Sequence, residues 1–191
     1  MKDLGASAFN YGYPMAILIV ATYNDDGTVN VMNLHECTRT NAGDLVICIG
    51  EGKKTHKNIE KRRAFTLTMA SRELMTAADY FGMMSGWQIP DKFDRAGLKA
   101  VKSSRIDAPI IVGSKLVIEC ELIEFVKTQN FSGIIARIVN IAADESILTE
   151  KGKVSIEKLG MVIYDSFSSK YFTVGEEIGN AFGAGKKYLK K

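Results

Sequence analysis

Gly50-Glu51-Gly52-Lys53-Lys54-Thr55-His56-Lys57-Asn58-Ile59 follows the apolar run Leu45-Val46-Ile47-Cys48-Ile49. The run reads as a strand, and the polar segment from about Thr55 to Arg63 reads as a helix. A strand, a glycine turn, a lysine pair and a helix start together form a candidate phosphate site. Backbone N–H groups at a helix N-terminus lack intrahelical partners, and the helix dipole favours an anion there. Lys53 and Lys54 add positive charge, and Thr55 is placed to cap the helix or to bond a phosphate oxygen. The stretch is not a nucleotide triphosphate loop. Ile47 stands where that motif needs its first glycine, and Lys54 where it needs Ser or Thr. Taken alone, these residues fit a solvated basic turn ahead of an ordinary helix equally well.

Outward from this stretch, the first half of the chain reads as strands. Pro14 to Tyr23 is rich in Ile and Val, and Asn24-Asp25-Asp26-Gly27 is a hairpin turn because Asp and Gly tolerate positive φ. Thr28 to Thr38 is the return strand, Leu45 to Ile49 a third strand and Ala64 to Ala70 a fourth. Met75 to Met83 reads as a short helix. Ser85 to Pro109 is the least regular part, with a short helix expected near Phe93 to Ala100. Strands return in the second half. In Lys115 to Lys127, Leu116, Ile118, Cys120 and Leu122 alternate with more polar residues, the period of a half-buried strand. Asn130 to Ala143 is its partner. Met161 to Tyr164 and Tyr171 to Val174 are short strands, and Glu176 to Tyr188 is a frayed helix or tail. The expected fold class is mainly β, an antiparallel barrel with peripheral helices, in a single domain spanning 1–191.

The chain has 191 residues, 46% hydrophobic and 25% charged, the balance of a soluble globular protein. A net charge of +3 is too small to argue for nucleic acid. The late lysines Lys186, Lys187, Lys190 and Lys191 read as a solvated tail. Met15 to Ala21, the longest apolar run, is too short to span a bilayer, so no membrane partner is expected. Three cysteines, Cys37, Cys48 and Cys120, sit far apart with no C-x-x-C. They read as buried inert thiols in a reducing cytoplasm rather than as disulfides or zinc ligands.

With its elements in order, the chain resembles the flavin reductase-like family with the FMN-binding split barrel, to which flavoredoxins and NAD(P)H:FMN oxidoreductases belong. The matching residues run from about Tyr13 to Lys187. They are Tyr13-Pro14-Met15, Asp26-Gly27-Thr28-Val29-Asn30, Lys54-Thr55-His56-Lys57-Asn58-Ile59, Ala78-Asp79-Tyr80-Phe81-Gly82, Ser85-Gly86, Asp91-Lys92-Phe93, and Ala108-Pro109 followed by Leu116-Val117-Ile118-Glu119-Cys120. Trp87-Gln88-Ile89-Pro90 departs from the family pattern. The resemblance implies a six-stranded antiparallel barrel that forms a homodimer with FMN near the interface. By that analogy Asn33, Leu34, His35, Glu36 and Cys37 run along the ring edge, while Gly50, Lys53, Lys54, Thr55 and Asn58 hold the phosphate. Cys48 and Ser85 complete the implied cofactor-binding set.

Such a protein needs little chemistry from its side chains, because the cofactor carries the reaction. No catalytic acid, base or nucleophile is assigned. NAD(P)H is the implied transient donor, and free flavin, a ferric complex, a quinone or a redox protein the implied acceptor. The alternative is a flavoredoxin-like FMN electron carrier without nicotinamide activity. No G-x-G-x-x-G opens a helix after a strand, so no dinucleotide fold is expected. His35, Glu36 and Cys37 are adjacent on a strand and point to alternate faces, so no metal site is expected. His56 is expected to be exposed, Trp87 to pin its own loop or stack on a planar ring, and Asp79 to anchor the middle loop.

Overall fold

Alternation along Ile17 to Tyr23 sets the architecture. Ile17, Ile19 and Ala21 pack into one buried cluster, and Leu18 and Val20 into another. A strand with both faces buried must be central, with layers on either side. The computed structural model describes residues 1–5, 8 and 13–189. Its strands and helices run β1 Met15–Ala16, β2 Leu18–Tyr23, β3 Val29–Leu34, β4 Cys37–Arg39, β5 Leu45–Ile47, α1 Lys54–Arg62, β6 Ala64–Met69 and α2 Met75–Met83. They continue with α3 Lys92–Arg95, β7 Ala100–Lys102, β8 Pro109–Ile111, β9 Leu116–Lys127, β10 Ser132–Ala143, α4 Ile156–Leu159, β11 Val162–Asp165 and β12 Lys170–Thr173.

The main sheet has the order β3-β2-β6-β9-β10-β5-β4, antiparallel at every step. Its two edge strands, β3 and β4, are consecutive in the chain and separated only by His35 and Glu36. One bent strand therefore supplies both edges, and the sheet curls around the inner cluster of Val20, Leu34, Ile47, Phe65, Leu67 and Ile134. Counting β3 and β4 as one, six strands make the barrel, which is split at the bend. The architecture is the antiparallel split barrel expected from the resemblance. The outer cluster packs the other face of β2 against Phe81 of α2, Phe93 of α3, Ile111 of β8 and Val162 of β11.

The predicted return strand Thr28–Thr38 is thus interrupted at its middle. Pro14–Tyr23 is also broken, at Ile17. There the N–H donates to Val162 O (3.1 Å) and the carbonyl accepts from Ala70 N–H (2.9 Å), so the chain changes sheets. The helix expected near Phe93 to Ala100 is shorter and earlier, because Gly97 turns the chain at φ +69°. Ala100–Lys102 then pairs with Pro109–Ile111 as a strand. Lys190 and Lys191 of the expected tail lie outside the described residues.

α1 is oriented by a buried polar network. Asn58 Nδ2 donates to Thr22 Oγ1 and Asn24 Oδ1, both at 3.0 Å. Asn30 Nδ2 donates to Thr55 Oγ1 at 2.9 Å and to Thr22 Oγ1 at 3.2 Å. Ile59 enters the inner core, so the helix is tied to the β2–β3 hairpin by polar bonds and to the barrel by apolar contact. His56, expected to be exposed, is only 6% accessible, because Phe125 of β9 covers its ring at 4.4 Å between centroids. Thr55 does not cap the helix: Lys53 occupies that position with no side-chain bond, and the Thr55 hydroxyl is engaged by Asn30.

Asn58→Ala removes one of the two donors to Thr22 Oγ1 and strands the acceptor Asn24 Oδ1. The expected loss of unfolding free energy is about 1–3 kcal/mol in equilibrium urea denaturation. A midpoint equal to the parent's would show that the network does not hold the helix.

Candidate functional site

The N-terminus of α1 opens on a cavity of about 220 Å³ lined by Lys53, Lys54, Thr55, Asn30, Asn33, Ser85 and Lys92, among others. Its lining contains three lysines and no Asp or Glu. The first turn of α1 carries no acidic residue either, while Lys61 and Arg62 occupy the last turn. Inside the cavity, therefore, no carboxylate balances the positive charge at the helix N-terminus. Thr55 is 2% exposed. Its bond from Asn30 uses an acceptor lone pair and leaves the hydroxyl proton to donate.

Lys92 is the unusual member. It is 2% exposed, and its Nζ donates to Phe81 O (3.0 Å) and Met84 O (2.5 Å) at the end of α2. Those carbonyls lie beyond the helix's own ladder and suit a cation. Among the described residues no carboxylate pairs with it. Burial, and then the nearby charge of Lys53, pull its ammonium down to about 8. An anion in the cavity would relieve both effects. Asn33 Oδ1, on the same wall, is buried with no hydrogen-bond partner.

Glycines shape the opposite wall. A Cβ at Gly86 would collide with Asn30 Oδ1, and at Gly82 it would come within 3.3 Å of Asn33 Cβ. Trp87 follows, with its indole Nε1–H donating to Gly52 O at 2.9 Å and Lys54 Nζ 5.4 Å from the ring centroid. Trp87 thus pins the Ser85–Pro90 loop onto the glycine turn. Asp79 does not serve the middle loop: it accepts from the Tyr171 hydroxyl at 2.7 Å and so ties α2 to β12.

Beyond the bend, the same strand lines a second and more apolar cavity of about 680 Å³ with His35, Glu36, Cys37, Cys48, Leu18 and Met69. The His35 ring stacks on Tyr164 at 4.9 Å, and its Nε2 is buried without a partner. Burial, outweighing Glu36, lowers its pKa below the ordinary imidazole value, so it is neutral at pH 7. Burial, with Cys48 nearby, pushes the Cys37 thiol up to about 11 and raises Cys48 as well. Neither is a thiolate at neutral pH. Cys120 lies in the inner core and is pushed up to about 12, chiefly by burial.

Of the twelve residues that the sequence points to, Asn33, Lys53, Lys54, Thr55 and Ser85 converge on the first cavity. His35, Glu36, Cys37 and Cys48 converge on the second. Leu34 lies between them in the chain, with its side chain in the inner core, and lines neither cavity. Gly50 is exposed and accepts from Lys53 N–H in the turn at 3.0 Å. Asn58 turns its amide inward and borders a neighbouring groove instead. The sequence does not mark Lys92 as a site residue: its one signal is the Asp91-Lys92-Phe93 match, since a lysine among charged neighbours reads as solvated.

A family model described as the flavin reductase like domain matches residues 10–164. The flavoredoxin of Desulfovibrio vulgaris (Miyazaki F) is 32% identical, with a TM-score of 0.88 over 97% of this chain and 99% of that one. The flavoredoxin of Methanosarcina acetivorans, 22% identical, shares the fold at a TM-score of 0.85 over 98% of each chain. An uncharacterized protein of Aquifex aeolicus is 26% identical over 155 residues, 76% of this chain and 77% of that one. No helix among the described residues is long and apolar enough to cross a membrane. These likenesses support flavin binding and flavin-related oxidoreduction, and the match over most of its length makes the chain a member of the flavin reductase-like family.

Proposed function

We propose that the chain is an FMN-binding oxidoreductase that passes hydride or electrons from NAD(P)H to an acceptor. The observation that carries this reading is the cation cavity: three lysines and a helix N-terminus without an acid, joined by one strand to an apolar hollow. A phosphate is the anion such a cavity suits. Lys53, Lys54 and Lys92 would hold it, with Thr55 donating its free hydroxyl proton. Asn33 Oδ1 and His35 Nε2, buried without partners, would meet the polar edge of the ring, with Leu34 contributing through its backbone. Bound there, FMN supplies the redox chemistry at its N5. The protein's part is to fix the ring against the bend and to keep water from its inner face. Neutral His35 adds no charge, and the protonated thiols of Cys37 and Cys48 add no nucleophile.

A second reading, an electron carrier without nicotinamide activity, is favoured by the 32% identity to a flavoredoxin across nearly the whole chain. Absorption spectra under anaerobic conditions separate the two. Bleaching of bound flavin by NADH or NADPH is the expected result. Bleaching by dithionite alone would support the carrier. The β9–β10 hairpin exposes Ile123, Val139 and Ile141, which supports a homodimer. Sedimentation at a single monomer mass across micromolar concentrations would contradict that.

Lys54→Ala and Thr55→Ala are each expected to weaken FMN binding by about 1–3 kcal/mol, measured by flavin fluorescence on the apoprotein. Unchanged affinity in both would move the phosphate elsewhere. The affinity is also expected to fall as pH rises past about 8. The bound phosphate favours protonated Lys92, so the complex holds more proton than the free protein, and binding weakens where the free protein loses it. Lys92→Met should bind FMN more weakly at pH 7 and lose that dependence. A parent curve flat from pH 7 to 9.5 would remove Lys92 from the site.

A further inference from the structure

Along the flank of α1 runs a groove of about 440 Å³, within the usual range for small-molecule sites. Asp25, Asp26, Lys54, Lys57, Asn58 and Trp87 line it. Lys54 also lines the cation cavity, so the two hollows meet at one ammonium group. Gly86 lies against this lysine from the cavity side, where a Cβ would touch the Lys54 stem, 3.4 Å from Cδ, and collide with Asn30 Oδ1.

Trp87 is the chain's sole tryptophan and is 56% exposed. An exposed indole is ordinarily free to turn. This one has its single donor fixed on Gly52 O, so its orientation is set before any ligand arrives. The charged residues of the groove are available. Lys57 pairs with Glu60 at 3.1 Å and Lys61 with Asp25 at 2.8 Å, but all four side chains are more than half exposed. Such pairs are worth little and exchange readily. Asp26 is an ionised acceptor, held by the N–H and hydroxyl of Thr28.

We propose that this groove is a subsite for the adenosine phosphate half of a dinucleotide, with adenine on Trp87, phosphate on Lys54 and Lys57, and ribose hydroxyls donating to Asp25 or Asp26. An orientated ring, two lysines and two carboxylates share one groove, and these are the partners that a base, a phosphate and ribose hydroxyls take. The chain has no G-x-G-x-x-G turn to hold a dinucleotide in the usual manner, so a grip of this surface type is the one available. The ligand is either FAD, with its flavin phosphate in the cation cavity, or NAD(P)H lying beside bound FMN. In both cases the inference rests on the flavin reading for what fills the cavity next door.

The test uses 5′-ADP, which does not absorb where tryptophan is excited. Saturable quenching of Trp87 emission in the apoprotein is expected. By calorimetry, ADP affinity should drop roughly tenfold in Trp87→Leu, and less in Trp87→Phe, which keeps a ring. Two further titrations identify the source. NADH or NADPH binding to FMN-loaded protein, with the same loss in Trp87→Leu, assigns the subsite to the nicotinamide cofactor. FAD binding roughly tenfold tighter than FMN, with that margin lost in Trp87→Leu, assigns it to the flavin. No quenching at millimolar ADP, or ADP affinity unchanged in Trp87→Leu, overturns the proposal. Failure to bind FMN overturns the reading of the cation cavity and leaves the ADP titration to decide the groove by itself.

Discussion

Everything at the candidate site depends on the buried amide–hydroxyl network between the β2–β3 hairpin and α1. Thr22 Oγ1 accepts from both Asn30 and Asn58, and Asn30 also reaches Thr55. Burial of these polar groups is tolerable only because each finds a partner. In return the network has one arrangement, since a shifted helix would leave several donors unmatched. It therefore fixes where the N–H groups of α1 point and where Lys53, Lys54 and Thr55 stand relative to Asn33. The pairing of β2 with β3, in register from Leu18–Leu34 to Tyr23–Val29, carries that geometry to the bend at His35–Glu36.

The charge distribution is the second constraint. Clustering Lys53, Lys54 and Lys92 at a helix N-terminus is unfavourable in the free protein, and the Lys92 ammonium is depressed first by its burial and then by the charge of Lys53. Proteins keep such clusters where an anion removes the repulsion. The strand that leaves this cavity enters an apolar one, so a single molecule with an anionic end and a planar body suits both. The split barrel makes that adjacency possible, because the bent strand passes from one sheet edge to the other at the point where the two cavities approach.

Much of this was legible in the chain. Asp26-Gly27 gave the hairpin, since Gly27 takes φ +84° and Asp26 caps the turn through Thr28. Leu45 to Arg62 gave the strand, turn and helix that hold the lysine pair. What escaped has physical causes. The break at His35–Glu36 is hidden because no Gly or Pro marks it, and only the change of partner strand reveals it. Ala100–Lys102 is too short and mixed to declare itself before Pro109–Ile111 is placed beside it. Lys92 and His56 read as solvent-facing types, and only the carbonyls of α2 and the ring of Phe125 take them inside. Asn58 carries a family signature, yet its amide serves the fold.

The most direct measurement compares the affinity of the apoprotein for FMN and for riboflavin, which differ only in the phosphate. If the lysines and the Thr55 hydroxyl hold that group, FMN binds about a hundredfold tighter or more, since charged hydrogen bonds contribute roughly 1.5–3 kcal/mol each. Equal affinities would mean that the cation cavity does not hold the flavin phosphate, and the central claim would be wrong.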